Sequence, residues 1–106
     1  MKILLDECLP VDFRHHFQDH ETHTADWAGL KGEKNGELLR EAELAGYEVL
    51  VTVDQGITHQ QNLVSRKISV IAIHGKTNQI EDLLPFVKAI QTALRTISPG
   101  QTLAIG

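Results

Sequence analysis

Val49-Leu50-Val51-Thr52-Val53-Asp54 lies near the middle of this chain, and its reading decides the fold. The run is aliphatic and β-branched up to a terminal carboxylate. An apolar run of strand length reads as a strand buried on both faces, which is the mark of a parallel sheet rather than a half-solvated antiparallel one. The same pattern opens the chain, where Ile3-Leu4-Leu5 runs into Asp6-Glu7. In open α/β sheets the ligand crevice lies outside the carboxyl ends of the strands, so acids ending two such runs are expected to converge. Carboxylates gathered at one sheet edge repel each other unless a cation lies between them. Hard oxygen ligands of this kind suit Mg²⁺ or Mn²⁺.

Outward from these runs, β-like and helical periodicities alternate. Residues 2 to 6 read as the first strand. Pro10 suits the opening turn of a helix that carries Val11, Phe13, His16 and Phe17 to about Asp19. A short strand comes next over Glu21 to Ala25, and Gly29 and Gly32 mark a loop. Asn35 can cap a helix whose Leu38, Leu39, Ala42 and Ala45 face inward before Gly46 ends it. After the 49–54 strand, residues 57–64 read as a short helix and Ile68 to Ile73 as another buried strand. Ile80, Leu83, Leu84, Val87, Ile90 and Leu94 then form an i, i+3, i+4 stripe on a last helix that suits either the core or a homodimer interface. Pro99-Gly100 is a turn, and Thr102 to Ile105 can add an edge strand. This order predicts an α/β fold with a mostly parallel sheet and right-handed crossovers.

A length of 106 residues suits one domain spanning 1–106. The hydrophobic share of 42% and charged share of 23% are those of an ordinary globular protein, and no apolar run approaches the roughly 18 residues of a membrane span. With a strand at the very start and a single cysteine, Cys8, a cytoplasmic location and no membrane partner are expected. The net charge of −4 provides no global attraction to nucleic acid, so any such binding needs local basic patches.

Each acid has two possible roles: Asp6 and Asp54 either end their strands and cap the next element, as Asp commonly does, or they meet as ligands. Glu37 is the best candidate for a further acid, with Glu33 and Glu41 competing. Its alternative role is to favour the helix dipole from the first turn.

Asp6-Glu7-Cys8-Leu9-Pro10, the stretch Gly29 to Leu39 (GLKGEKNGELL) and Leu50-Val51-Thr52-Val53-Asp54 together resemble compact PIN-like proteins, which open with D-E-x-L-P and later show a T-x-D strand end. The resemblance covers most of the chain and extends to the VapC-type toxin ribonucleases. It implies an α/β three-layer sandwich around a mostly parallel sheet and Mg²⁺- or Mn²⁺-dependent cleavage of an RNA substrate. It also implies a cognate antitoxin-type protein partner. Carried over by position, Asp6 and Asp54 are metal ligands and Glu7 is a neighbouring acid that either binds or supports them. Glu37, one turn into the helix that Asn35 can cap, is not carried over but can compensate as a third ligand. The chain departs from the pattern at Asn35 and Gly56, where many relatives have aspartates. Asn35 offers a neutral oxygen and Gly56 no side chain. The alternative is therefore a PIN-like interaction module that binds a partner without turnover.

Candidates for substrate contact are Lys31, Lys34 and Asn35 in the glycine-rich stretch, Arg66 and Lys67 before the fourth strand, and the amides of Gln60, Gln61 and Asn62. Trp27 suits either base stacking or an apolar contact in the core or at a subunit interface. No paired histidine is identifiable for Cys8, which reads as a small buried residue. His16 and His20 lack the local acid of a zincin-type motif. A more distant alternative is a receiver-like phosphoacceptor, which also places an acid pair after its first strand and an aspartate after its third. Such domains need five βα units and a lysine after the last strand, whereas Lys76 comes after an earlier one.

Overall fold

The apolar runs of the sequence become strands, and the strands pair in parallel throughout. The structure is a computed structural model that describes residues 1–54 and 66–106. Its elements are β1 (Lys2–Leu5), a 3-10 helix (Val11–Phe17), β2 (Glu21–Thr24), α1 (Asn35–Leu44), β3 (Val49–Thr52) and β4 (Ser69–Ile73). They continue with α2 (Ile80–Leu83), a 3-10 turn (Leu84–Phe86), α3 (Val87–Thr96) and β5 (Thr102–Ile105). The helix expected over 57–64 lies outside the described residues, as do Gly56, Gln60, Gln61 and Asn62.

The five strands form one sheet in the order β2-β1-β3-β4-β5. Strands β3 and β4 are buried along their whole length, which is why their sequences run apolar without alternation. The edge strands β2 and β5 are partly exposed, and β2, with the sequence ETHT, is polar along its whole length. Successive side chains on a strand point to opposite faces, and two cores result. One gathers Ile3, Leu5, Val49, Val51, Ile71 and Ile73 with Phe13, Phe17, Leu83, Ile90 and Leu94. The other gathers Leu4, Leu50 and Val70 with Leu38, Leu39, Ala42 and Tyr47. Helical elements thus cover the sheet on both faces, as an α/β fold requires.

Four local expectations are corrected. The segment after Pro10 is a 3-10 helix rather than an α-helix, and it buries Phe13 and Phe17 while leaving Val11 57% exposed. Lys34, not Asn35, flanks the start of α1, and Ala45 is exposed at its C-cap rather than inward. Gly46 then turns the chain at φ 89°, a left-handed value that glycine adopts without steric cost. The last helix is split: Pro85 lacks an N–H and its ring crowds the preceding turn, so a 3-10 turn separates α2 from α3. Leu84 is displaced from the core to 40% exposure as a result.

Candidate functional site

β1 is flanked by β2 on one side and β3 on the other, so the chain reverses direction across the sheet between β1 and β3. Such a switch point opens a crevice at the carboxyl ends of the two strands, and Asp6 and Asp54 lie just past those ends. The crevice holds about 230 Å³ and is lined by Asp6, Glu7, Cys8, Glu33, Lys34, Leu38 and Asp54.

The two aspartates are tied together by Thr52, a fully buried residue at the end of β3. Its hydroxyl donates to Asp6 Oδ2 at 2.7 Å and accepts the Asp54 backbone N–H at 3.0 Å. Because the single hydroxyl proton goes to Asp6, the 3.7 Å contact with Cys8 Sγ is one in which the thiol donates. One donor and two acceptor positions are therefore all used. Asp6 Oδ1 accepts the Glu7 N–H at 2.8 Å, and the Asp6 N–H extends the β1–β3 ladder to Val51 O at 2.9 Å. The first aspartate is thus fixed in side chain and backbone, with an oxygen edge facing the crevice.

Glu7 serves the loop. Both of its carboxylate oxygens accept the N–H of Gly32, at 3.2 and 3.3 Å, and Gly32 holds φ 88°, a backbone angle that a side chain would strain. This brings the Gly29–Lys34 stretch over the crevice and sets Glu33 and Lys34 on its rim. On the other side, the Asn78 side-chain amide donates to Cys8 O at 3.0 Å and holds the loop after β1.

Sequence reasoning named Asp6, Glu7, Asp54 and Lys34, and these do line one crevice. Glu37 does not join them: its carboxylate accepts a 2.6 Å bond from Arg40 on the exposed side of α1. Glu33, named as a competitor, takes the rim position, while Glu41 lies 3.8 Å from Arg40. Lys31 is exposed and does not line the crevice. Arg66 and Lys67 precede β4 and so belong to the amino edge of the sheet, where Lys67 lines a separate hollow with Met1, Glu48 and Pro99. Asn35 is the first residue of α1. Thr52 and Asn78 were missed. A threonine within a strand reads simply as a β-former, and only the 52-54 spacing hinted at its hydroxyl.

The Cys8 thiol is pushed above its ordinary value, mainly by burial and further by the charge of Asp6. A thiol held neutral is a poor nucleophile, in keeping with its reading as a packing residue. Among the described residues, no three His, Cys, Asp or Glu side chains gather as a ready-made metal cage. The site presents instead two strand-end aspartates with hard oxygens, a donor set that fits Mg²⁺, which keeps several waters and commonly takes only one or two protein carboxylates plus substrate phosphates. No described helix is long and apolar enough to cross a membrane. No protein-family model matches the chain, and no curated protein and no solved structure is matched by it.

Proposed function

We propose that this chain is a PIN-like, metal-dependent ribonuclease acting as the toxin of a toxin-antitoxin pair, with the crevice between β1 and β3 as its active site. The observation that carries the reading is the Thr52 hydroxyl, which links Asp6 to the backbone of Asp54 at the switch point of a parallel sheet. Capping alone does not call for two acids on neighbouring strands to share one buried hydroxyl.

In this reading Asp6 and Asp54 hold Mg²⁺ or Mn²⁺. When bound, the cation would supply charge neutralisation at the scissile phosphate and a more acidic water. The chain's own residues do the rest. Thr52 fixes the Asp6 oxygens, and Glu7 fixes the glycine loop through Gly32. Lys34, the cation that the described residues place on the crevice wall, balances the phosphate charge. Hydrolysis adds water across the P–O bond, so no covalent enzyme nucleophile is needed and the neutral Cys8 is no obstacle. An antitoxin-type protein partner is implied by the resemblance of the D-E-x-L-P and T-x-D segments; a cytoplasmic location, expected from the single cysteine, and a homodimer, which the Ile80 to Leu94 stripe suits, belong to the same proposal.

The test is cleavage of labelled RNA by the purified protein with Mn²⁺, Mg²⁺ or EDTA, beside Asp6→Asn and Asp54→Asn. Cation-dependent cutting in the wild type, lost in both variants, is the expected result. Should no cation support cutting, the interaction-module reading replaces it. The strand order 2-1-3-4-5 is one that receiver domains share, which keeps the more distant receiver-like alternative open to test. Labelling of Asp54 by acetyl phosphate separates that reading, and none is expected, because Lys76 comes after β4 rather than the last strand.

A further inference from the structure

Trp27 is the only tryptophan of the chain, and it stands 71% exposed. An indole left in water is costly and calls for a reason, because a tryptophan ordinarily buries most of its large apolar surface. Its surroundings hold it still. The Trp27 backbone N–H donates to Thr24 Oγ1 at 3.2 Å, and the Ala28 N–H donates to Thr24 O at 3.0 Å, which closes a tight turn directly after β2. The ring stacks on His23, with centroids 3.9 Å apart and planes at 27°. His23 is itself anchored, its Nδ1 lying 2.8 Å from Tyr47 Oη. The indole is thus pre-organised yet uncovered.

Beside it, Val11, Arg14, Thr22, His23, Thr24 and Trp27 line a cleft of about 350 Å³, within the roughly 300–1,000 Å³ range of small-ligand sites. Arg14 is exposed and forms no ion pair with any described residue. A flat π-surface next to an uncommitted guanidinium is complementary to a nucleobase with its phosphate, because bases stack on aromatic rings irrespective of sequence and guanidinium pairs with phosphate. The location agrees. Leu5 and Thr24 are register partners, and the Ala25 N–H donates to Leu5 O at 2.9 Å, so the Trp27 turn leaves the sheet at the same carboxyl edge from which Asp6 emerges.

We propose that this cleft is a stacking subsite for single-stranded RNA, in which one base lies on Trp27 and the adjoining phosphate meets Arg14 while the strand continues to the acidic crevice. The proposal rests on the ribonuclease reading for its choice of RNA. It names a substrate class for the site: unpaired strands, since a base inside a duplex cannot reach an aromatic platform. Double-stranded RNA is therefore excluded as the preferred substrate.

The sole tryptophan makes the test direct. Fluorescence of Trp27 is followed in EDTA while the full-length protein is titrated with an unpaired RNA oligomer, its hybridised duplex, or an abasic oligomer of equal length. The unpaired strand is expected to quench Trp27, and the duplex and the abasic strand to leave it unchanged. By anisotropy of labelled RNA, Trp27→Ala and Arg14→Gln each weaken binding about tenfold, while Trp27→Phe retains most of it. Glu37→Gln, on the exposed side of α1 and outside the crevice, leaves quenching intact. Quenching without cation-dependent cutting upholds the subsite and sinks the nuclease; cutting without quenching does the reverse. Equal response to the abasic strand overturns the subsite. So does a shift of Trp27 emission on raising protein concentration alone, which would mark burial of the indole against a second copy.

Discussion

Thr52 donates its hydroxyl proton to Asp6 at 2.7 Å, and the same oxygen accepts the backbone N–H of Asp54 at 3.0 Å. A single buried side chain thereby sets the spacing of both acids. Thr52→Val keeps the shape and removes the hydroxyl, leaving an unmet donor and a freed carboxylate. Loss of about 1–3 kcal/mol in stability is expected from the unpaired groups, and about 10–100-fold in cation-dependent activity from a ligand no longer held. Denaturant unfolding and RNA cleavage measure the two. Thr52→Ser should restore most of both; if Val is as active as wild type, Thr52 has no part in the site.

If Asp6 and Asp54 hold a cation, the folded state gains by mass action. At a Mn²⁺ concentration about a hundredfold above Kd the gain is about 2.7 kcal/mol, worth roughly 10 °C in Tm for a domain of this size. Asp6→Asn and Asp54→Asn should each abolish that shift while remaining folded in EDTA. This measurement needs no substrate. An equal shift in wild type and both variants would move the cation elsewhere on the surface.

Glu33 and Glu37 separate cleanly. The Glu37–Arg40 pair is largely exposed on both sides, and such pairs contribute little, so Glu37→Gln is expected to change stability by less than about 0.5 kcal/mol and to leave cleavage unchanged. Glu33 lines the crevice, and Glu33→Gln should weaken cation-dependent cleavage about tenfold. The opposite ranking in a cleavage assay would restore Glu37 to the site.

The contrast shows which parts of the molecule were legible. The sheet was, because β3 and β4 are buried on both faces and an uninterrupted apolar run has no other comfortable place. Asp6 and Asp54 were, because parallel strands bring their carboxyl ends together whatever the loops do. Glu37 was misjudged because its direction depends on where α1 begins: with the helix starting at Asn35, Arg40 lies one turn along the same outer face. Trp27 was ambiguous for a related reason. Its exposure depends on a turn held by Thr24, and no periodicity announces that contact. The split at Pro85 was readable from proline chemistry but was masked by the regular stripe on either side.

Phe13 is fully buried and meets Phe17 edge to face, with centroids 5.1 Å apart, beneath the 3-10 helix. That helix makes poorer hydrogen bonds than an α-helix, so its hold on the sheet is chiefly these two rings. Phe13→Ala should cost about 3–5 kcal/mol by denaturant unfolding. The surface change Val11→Ala, at 57% exposure, should cost far less.

Tyr47 is the only tyrosine, so its ionisation can be followed alone by ultraviolet absorbance. Burial pushes its phenol above the ordinary value, and the nearby charge of Glu21 adds to the rise. The folded protein thus prefers the neutral phenol more than the unfolded chain does. The stability this preference contributes is therefore fully present below the unfolded-state pKa and is lost as pH rises through the folded-state pKa. The absorbance midpoint should lie above that of the unfolded chain in denaturant. Glu21→Gln should lower it without bringing it to the unfolded value, because burial is the larger cause. A midpoint in the variant equal to the unfolded one would mean that charge, rather than burial against the α1 side of the sheet, governs this residue.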